Sequence, residues 1–180
     1  MTGTPTFRDG LLAAVPTLRA FAISLAKDAD RADDLVQETL VKAWSKQDSF
    51  QPGTNLRAWL FTILRNEFYS QMRKRRREVE DAEGTMTESL SVRPSQESSS
   101  DLADFCKALA LLPEDQREAI ILVGASGFSY EEAAAICGCA VGTIKSRVSR
   151  ARARLQDILG IEGEGEFGPD SIAAQATNVA

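Results

Sequence analysis

The sequence contains no histidine and only 3 cysteines among its 180 residues. Histidine is a frequent general base and metal ligand, and 3 cysteines cannot form the paired framework of a disulfide-rich fold. A Walker-type glycine loop is also lacking, and no carboxylate pair stands apart from an ordinary helix surface. These absences argue against an enzyme, and we expect neither a catalytic site nor a bound metal or cofactor.

Long apolar runs are lacking as well. The longest, such as AIILVGASGFSY at residues 119–130, fall well short of the roughly 20 apolar residues that a membrane-spanning helix needs. The first residues, MTGTPTFRDGLLAAV, lack the basic start of a signal peptide. We therefore expect a cytoplasmic protein that makes no contact with a membrane.

The charge, which sums to -5, is unevenly distributed. Residues 1–77 hold 13 lysines and arginines against 8 aspartates and glutamates, whereas residues 78–104 hold 1 against 8. Residues 105–160 hold 7 against 6, and residues 161–180 hold 0 against 4. The two acidic stretches are poor in large apolar residues and cannot bury enough surface to order themselves. We therefore predict a domain at 1–77, a flexible acidic linker at 78–104, a second domain at 105–160 and a disordered acidic tail at 161–180.

Both domains are predicted to be all-α, because apolar residues recur at spacings of three and four and no stretch alternates long enough for a strand. In the second domain, Ser129 and Glu132 form a capping box at the start of one helix, and Gly138 ends it. Another helix follows after a short turn, so the pair is predicted to be a helix-turn-helix. The CGC at residues 137–139 could indicate metal or redox chemistry. Without a second cysteine pair, Cys137 is better interpreted as a small apolar side chain.

The second helix of this pair lies within GCAVGTIKSRVSRARARL, residues 138–155. At about 100° per residue its predicted buried stripe consists of Ile144, Val148, Ala151, Leu155 and Ile158. The opposite side carries the small residues Gly142, Ser146, Ser149 and Ala153, with Lys145 and Arg150 on its shoulders. A narrow ridge flanked by long cations can enter a major groove and reach base edges and phosphates. A solvated basic face is the alternative, but the ridge combined with the capped helix and glycine turn favours DNA binding.

An acidic strip is predicted on the helix at residues 31–46. Its inward side consists of Ala32, Val36, Thr39, Leu40 and Ala43. The opposite side consists of Asp34, Gln37, Glu38, Val41 and Ser45. This strip could face solvent or receive a basic partner helix, and spacing alone favours solvent.

A basic helix is predicted at residues 55–77. Its inward positions are Leu56, Trp59, Leu60 and Ile63, with Phe61, Phe68 and Met72 on a second buried side. The remaining face presents Ala58, Thr62, Arg65, Tyr69, Arg73 and Arg76. Cations interleaved with a tyrosine and ending in RKRRR suit a nucleic acid backbone and stacked bases, and exceed what a helix C-terminus needs. The preceding loop, DSFQPGTN, could hold an unstacked base.

Four motifs in both domains resemble, in order, the extracytoplasmic-function (ECF) class of sigma factors of the sigma-70 family. They are DRADDLVQETLVKAW, NLRAWLFTILRNEFYSQMRKRRR, LPEDQREAIILV and SYEEAAAICGCAVGTIKSRVSRARARL. The segment LVGASGFSYEEAAAICGCAVGTIKSRV further resembles the EcfG-type general-stress-response branch of alphaproteobacteria. The resemblance implies a non-enzymatic subunit that binds RNA polymerase core, through the beta-prime coiled coil and the beta flap, and directs it to promoter DNA. It also implies control by a small NepR-like anti-sigma protein.

The resemblance assigns residues to these roles. The beta-prime coiled coil would be contacted by Asp34, Gln37 and Glu38. The minus 10 element would be recognised and opened, with a flipped base in the loop, by Phe50, Gln51, Asn55, Arg65, Asn66, Tyr69 and Arg73. The minus 35 element would be read by Lys145, Ser146, Ser149 and Arg150, with Thr143 and Arg147 on phosphates. The sequence departs from many members of the class at Ser70, where they have aspartate, and at Ala140, where they have serine or proline.

Two other functions stay open. A sigma-like module could sequester an anti-sigma protein, although intact Lys145, Ser146 and Arg150 favour contact with DNA. A helix-turn-helix repressor could bind duplex DNA without polymerase, although it would not need a basic helix in a separate domain. Initiation by core polymerase separates a sigma factor from both.

Overall fold

The computed structural model describes residues 6–81 and 100–160, and within these ranges the chain is all-α, as predicted. Its helices are α1 (Phe7–Ala26), α2 (Ala29–Ser45), α3 (Leu56–Asp81), α4 (Ser100–Ala110), α5 (Glu114–Ile120), α6 (Tyr130–Cys137) and α7 (Val141–Leu159). Residues 82–99 of the predicted linker and the whole predicted tail, 161–180, lie outside the described residues. Helices α3 and α4 both reach into the segment predicted as linker.

Helix α1 is fixed at both ends by local chemistry. Thr6 and Asp9 form a capping box at its start, and Lys27 ends it in the left-handed conformation at φ 56°. By length and composition α1 is apolar enough to cross a membrane. A third of its 18-residue apolar window is buried, including Leu18 and Phe21 in the core that α1 forms with α2 and α3.

Helix α3 is the central element of the first domain. Phe21 of α1 stacks on Phe61 of α3 with ring centroids 4.9 Å apart. Leu60 is buried as predicted, while Trp59 and Ile63 are half-buried. The sequence pattern missed Leu64, which is fully buried. The core stripe of α3 is therefore displaced toward the side that Phe61 and Phe68 occupy.

The second domain contains the predicted helix-turn-helix. Ser129 and Glu132 form the predicted capping box of α6, and Gly138 ends α6 at φ 64°. Four of the five residues of the predicted stripe on α7 are buried, namely Ile144, Val148, Ala151 and Leu155. Ile158 was also predicted to be inward, but it is 38% exposed, and the next residue, Leu159, packs against the cluster of Ala108, Leu112, Ala151 and Leu155 instead.

The segment after Pro113 begins as a regular helix, and its last part has a different geometry. Regular α-helix ends at Ile120, and Ile121–Ala125 forms a turn of π-helix. The wider turn is closed by the Ser126 amide, which donates to the Ile121 carbonyl at 2.8 Å. After this turn the chain enters the loop that precedes α6, and Phe128 in this loop is buried.

The two predicted domains share one hydrophobic core. Helix α3 packs against α6, and α1 packs against α5. The rings of Phe61 and Phe128 meet edge to face with centroids 4.9 Å apart. Arg117 of α5 donates to the backbone carbonyl of Ser24 in α1 at 2.9 Å. Part of the α3 face that the sequence pattern assigned to nucleic acid is thereby turned toward the second domain.

Candidate nucleic-acid interface

The ridge predicted on α7 is open to solvent. Gly142, Ser149 and Ala153 are exposed, and so are Lys145 and Arg150 on its two sides. The Lys145 ammonium lies 5.7 Å from the centre of the Tyr130 ring on α6, a cation–π contact that orients this side chain. The geometry therefore presents two long cations beside a ridge of small residues, as major-groove recognition requires.

Two other predicted residues on α7 are turned back toward the protein. The Arg147 guanidinium forms an ion pair with Asp115 at 3.1 Å, and the Arg147 side chain is 23% exposed. The Ser146 hydroxyl donates to the Thr143 carbonyl at 2.9 Å. A phosphate contact by Arg147 would have to compete with Asp115, whereas Arg150 has no such competitor among the described residues.

The face of α3 predicted to open DNA is dominated by a buried ion pair. Arg65 donates to both carboxylate oxygens of Glu118 on α5, from Nε at 2.7 Å and from Nη2 at 3.3 Å. The Glu118 side chain is 1% exposed and that of Arg65 is 19% exposed. Burial raises the pKa of the Glu118 carboxyl, because desolvation outweighs the favourable contact with Arg65. Burial works to lower the pKa of Arg65, but the hydrogen bond and charge of Glu118 raise it overall.

Tyr69 lies next to this ion pair. The Arg65 guanidinium is 4.6 Å from the centre of the Tyr69 ring, and the ring is half-buried. Burial raises the pKa of Tyr69 well above its ordinary value, and the nearby carboxylates of Glu118 and Glu114 add to the shift. The phenol is therefore neutral. Asn66 and Arg73, on the same helix, are exposed.

The loop between α2 and α3 is packed at one end and open at the other. Phe50 is half-buried in an aromatic cluster, with its ring centroid 5.9 Å from that of Phe7 and 5.4 Å from that of Trp59. Gln51 is exposed, and its carbonyl accepts from the Thr54 hydroxyl at 2.7 Å. Phe50 is thus held by its own domain, and Gln51 is the more accessible of the two.

Asn55 joins the first turn of α3 to the second domain. Its Oδ1 accepts from the Ala58 amide at 3.1 Å, and its Nδ2 donates to Glu132 at 2.7 Å. Glu132 also accepts from the Ser129 amide in the capping box of α6. The sequence analysis predicted neither bond of Asn55. The cap on Ala58 is local and could have been recognised, whereas the bond to Glu132 joins residues that are 77 positions apart.

The acidic strip on α2 is exposed along its whole length, including Asp34, Gln37 and Glu38. Glu38 accepts from the Gln71 amide of α3 at 2.6 Å. Val41, the apolar residue of the strip, is 68% exposed, and Trp44 beside it is 51% exposed. This side of α2 therefore presents large apolar side chains together with acidic ones. The position of Val41 on the polar face was the sequence signal for this patch.

The cysteines do not form a site. Among residues 6–81 and 100–160, no group of three or more histidine, cysteine or carboxylate side chains could hold a metal ion. Burial raises the pKa of the Cys137 thiol to about 12, so this thiol stays protonated and unreactive. This agrees with the interpretation of Cys137 as an apolar core residue.

Comparison with known proteins covers both domains. The family description "Sigma-70 region 2" matches residues 12–78, and "Sigma-70, region 4" matches residues 104–155. The chain is 65% identical to the ECF RNA polymerase sigma factor EcfG of Rhodopseudomonas palustris, over 93% of this chain and 92% of that protein.

Solved structures agree with these matches. The sigma factor RpoE of Bartonella quintana, determined in complex with the anti-sigma factor NepR, superimposes with a TM-score of 0.79 and 68% identity. That comparison covers 87% of this chain and 98% of RpoE. CnrH, determined in complex with the cytosolic domain of CnrY, superimposes with a TM-score of 0.63 and 30% identity over 87% of this chain and 89% of CnrH. The chain therefore belongs to the extracytoplasmic-function class of RNA polymerase sigma factors.

Proposed function

We propose that this chain binds RNA polymerase core and positions it on promoters of general-stress-response genes, with α7 on the minus 35 element and α3 on the minus 10 element. The observation that carries the proposal is the exposed ridge of α7, with Lys145 and Arg150 beside it. The 65% identity to an EcfG sigma factor supports the choice of stress-response promoters.

On the minus 35 element, Arg150 and Lys145 supply hydrogen bonds to base edges. Ser149, whose short side chain is exposed, allows the backbone of α7 to approach the groove. A bidentate arginine contact to guanine contributes about 1 to 3 kcal/mol of discrimination against the wrong base. While Arg147 stays paired with Asp115, it contributes to DNA binding chiefly through its positive charge.

On the minus 10 element, α3 and the preceding loop bind the separated strand. Unpairing and unstacking a base costs a few kcal/mol, and binding of the extruded base offsets this cost. Arg65, Asn66 and Arg73 contact the backbone, Tyr69 stacks on a base, and Gln51 and Asn55 border the position of the extruded base. Phe50 shapes that position from within its aromatic cluster. The chain acts by binding, and the polymerase performs the chemistry.

The polymerase contact lies on α2. Asp34, Gln37 and Glu38 provide the acidic component that matches a basic coiled coil, and Val41 and Trp44 provide the apolar area that a stable interface needs. The second domain contacts the beta flap. Because core polymerase acts on chromosomal DNA, the chain works in the cytoplasm.

An anti-sigma protein of the NepR type is the proposed regulator. The support is the relationship to RpoE of Bartonella quintana, which is 68% identical and was solved with NepR. Mixing the chain with a NepR protein tests this, with a stable 1:1 complex on gel filtration as the expected result. Separate elution of the two proteins at micromolar concentration would contradict the proposal that NepR binds this chain.

Transcription in vitro tests the function as a whole. Core polymerase of Rhodopseudomonas palustris, with and without the chain, is given fragmented genomic DNA of that organism, and the 5′ ends of the transcripts are mapped. The chain is expected to create a new set of start sites that share one minus 35 and one minus 10 sequence. If the chain adds no start sites, the sequestering module or the repressor becomes the better account, and tight binding of duplex DNA in the absence of polymerase would favour the repressor.

A further inference from the structure

A polar network joins α3 to Glu38 in the acidic strip of α2. The Gln71 side-chain amide donates to Glu38 Oε2 at 2.6 Å and to Glu67 Oε1 at 3.3 Å. The other carboxylate oxygen of Glu67 accepts from the Lys42 ammonium, with which Glu67 forms an ion pair. One neutral amide therefore lies between two carboxylates, and the carboxylate of Glu67 is the one that holds the lysine.

Lys42 would be the ordinary partner of Glu38, because residues four apart on a helix lie on one face and pair when their charges are opposite. Glu67 takes this cation instead. Glu67 is only 9% exposed, and a buried carboxylate without a cation would be costly. Burial works to raise the pKa of Glu67, but the bonds from Lys42 and Gln71 lower it overall. Glu67 therefore stays ionised and keeps Lys42.

Glu38 is left with a neutral partner. Its side chain is exposed, and within residues 6–81 and 100–160 no lysine or arginine forms an ion pair with it. An amide donor fixes the direction of a carboxylate without cancelling its charge. Gln71 engages Oε2 of Glu38, so the charge and the second oxygen stay available to a cation that approaches from outside the chain.

We propose that Gln71 is a positioning residue for polymerase binding, which holds Glu38 as an oriented anion while Glu67 keeps Lys42 away from it. The inference rests on the proposed function, which places Glu38 on a basic coiled coil of the polymerase. A carboxylate that is already oriented loses less side-chain freedom when a cation of the partner binds it. Gln71 lies on the helix assigned to the minus 10 element, but this role concerns polymerase and requires no DNA.

Two substitutions of Gln71 separate orientation from charge. Gln71→Met keeps a side chain of similar length and removes both hydrogen bonds, so Glu38 is no longer held. Gln71→Lys keeps a donor but neutralises Glu38 by pairing with it. Each should weaken association with core polymerase about three- to tenfold. Ser70→Lys is the matched control for the added charge, because Ser70 is exposed one position earlier on α3 and makes no bond to α2 among the described residues.

Binding and stability are measured on the same full-length variants. Fluorescence anisotropy of the chain, labelled at its N-terminus and titrated with core polymerase of Rhodopseudomonas palustris without DNA, gives the dissociation constant. Melting followed by circular dichroism gives the stability. Gln71→Lys should melt at the wild-type temperature or above it, because a cation between two carboxylates favours the fold. A merely structural role for Gln71 would instead lower stability and binding together.

A double-mutant cycle with Glu38→Gln tests whether Gln71 acts through Glu38. In the Glu38→Gln chain the charge is already lost, so neither substitution of Gln71 should weaken binding further. A loss of the same size in that background overturns the inference, since Gln71 would then act without Glu38. If one of the two Gln71 variants fails to fold, the other decides by the same comparison.

The remaining outcomes separate this inference from the proposed function. Wild-type affinity of the Gln71 variants, together with weaker binding by Glu38→Gln alone, overturns the positioning role and leaves the polymerase contact in place. A loss for Ser70→Lys as large as that for Gln71→Lys, with wild-type affinity of Gln71→Met, also overturns it. Unchanged affinity of Glu38→Gln itself contradicts the assignment of Glu38 to polymerase, and the inference falls with that assignment.

Discussion

Replacing Arg150 by alanine should weaken promoter recognition at the minus 35 element without affecting the fold. Arg150 is exposed on α7, and none of the described residues pairs with it, so its removal leaves no buried charge behind. Alanine is also the best helix former, so α7 should stay intact. The loss is therefore the base contact itself, about 1 to 3 kcal/mol, which corresponds to a roughly 5- to 150-fold lower affinity.

Electrophoretic shift or anisotropy of the assembled holoenzyme on a promoter measures this loss. Arg154→Ala is the matched control, because Arg154 is exposed on the same helix one turn further on and lies outside the predicted contact set. The penalty of Arg150→Ala should vanish on a promoter whose minus 35 element is scrambled. An equal penalty on both promoters, or a penalty no larger than that of Arg154→Ala, would refute the assignment of Arg150 to base recognition.

Three further results are expected. Asp34→Arg should weaken association with core polymerase in a pull-down, and full retention would return the acidic strip on α2 to plain solvent-facing surface. Phe21→Ala should lower the free energy of unfolding by about 3 to 5 kcal/mol in urea titrations, because the ring is 1% exposed and stacks on Phe61. The hydrogen bonds from the Ser129 amide and from Asn55 lower the pKa of the Glu132 carboxyl below its ordinary value of 4.5. The ionised carboxylate therefore stabilises the fold above pH 4.5, and this stabilisation is lost as the pH falls through the lowered pKa. Glu132→Gln should therefore flatten the fall in melting temperature below about pH 4.5, and an unchanged slope would contradict this.

The parts of the fold that could be predicted from the sequence are those fixed by neighbours along the chain. The capping box of Ser129 and Glu132 joins residues three apart, and the turn at Gly138 needs only one residue that tolerates positive φ. The buried stripe of α7 follows from helical periodicity, and it fails only at Ile158, where the next residue, Leu159, takes the inward position after Leu155.

Contacts between distant residues could not be predicted in this way. Arg65 and Glu118 are 53 positions apart, and nothing in the period of either helix indicates that they meet. The pattern on α3 showed a cationic face, but it could not show that the second domain half-covers Arg65 and Tyr69. The π-helical turn at Ile121–Ala125, which sets the path to Phe128, likewise has no signal in the apolar spacing.

Residue roles came from the family resemblance rather than from spacing. Spacing favoured solvent for the strip around Asp34, whereas the resemblance assigned it to the polymerase, and the exposed Val41 and Trp44 now support a protein contact there. For Arg150 the two lines of reasoning agree, since both the exposed ridge and the resemblance place it on DNA.

Promoter opening tests the central claim most directly. Core polymerase and a promoter fragment are treated with permanganate, which oxidises unpaired thymines, in the presence and absence of the chain. The account predicts reactive thymines at the minus 10 element only when the chain is present, and fewer of them with Arg65→Ala. A minus 10 element that stays unreactive, with the chain and polymerase both bound to the fragment, would contradict the claim that this chain opens promoter DNA.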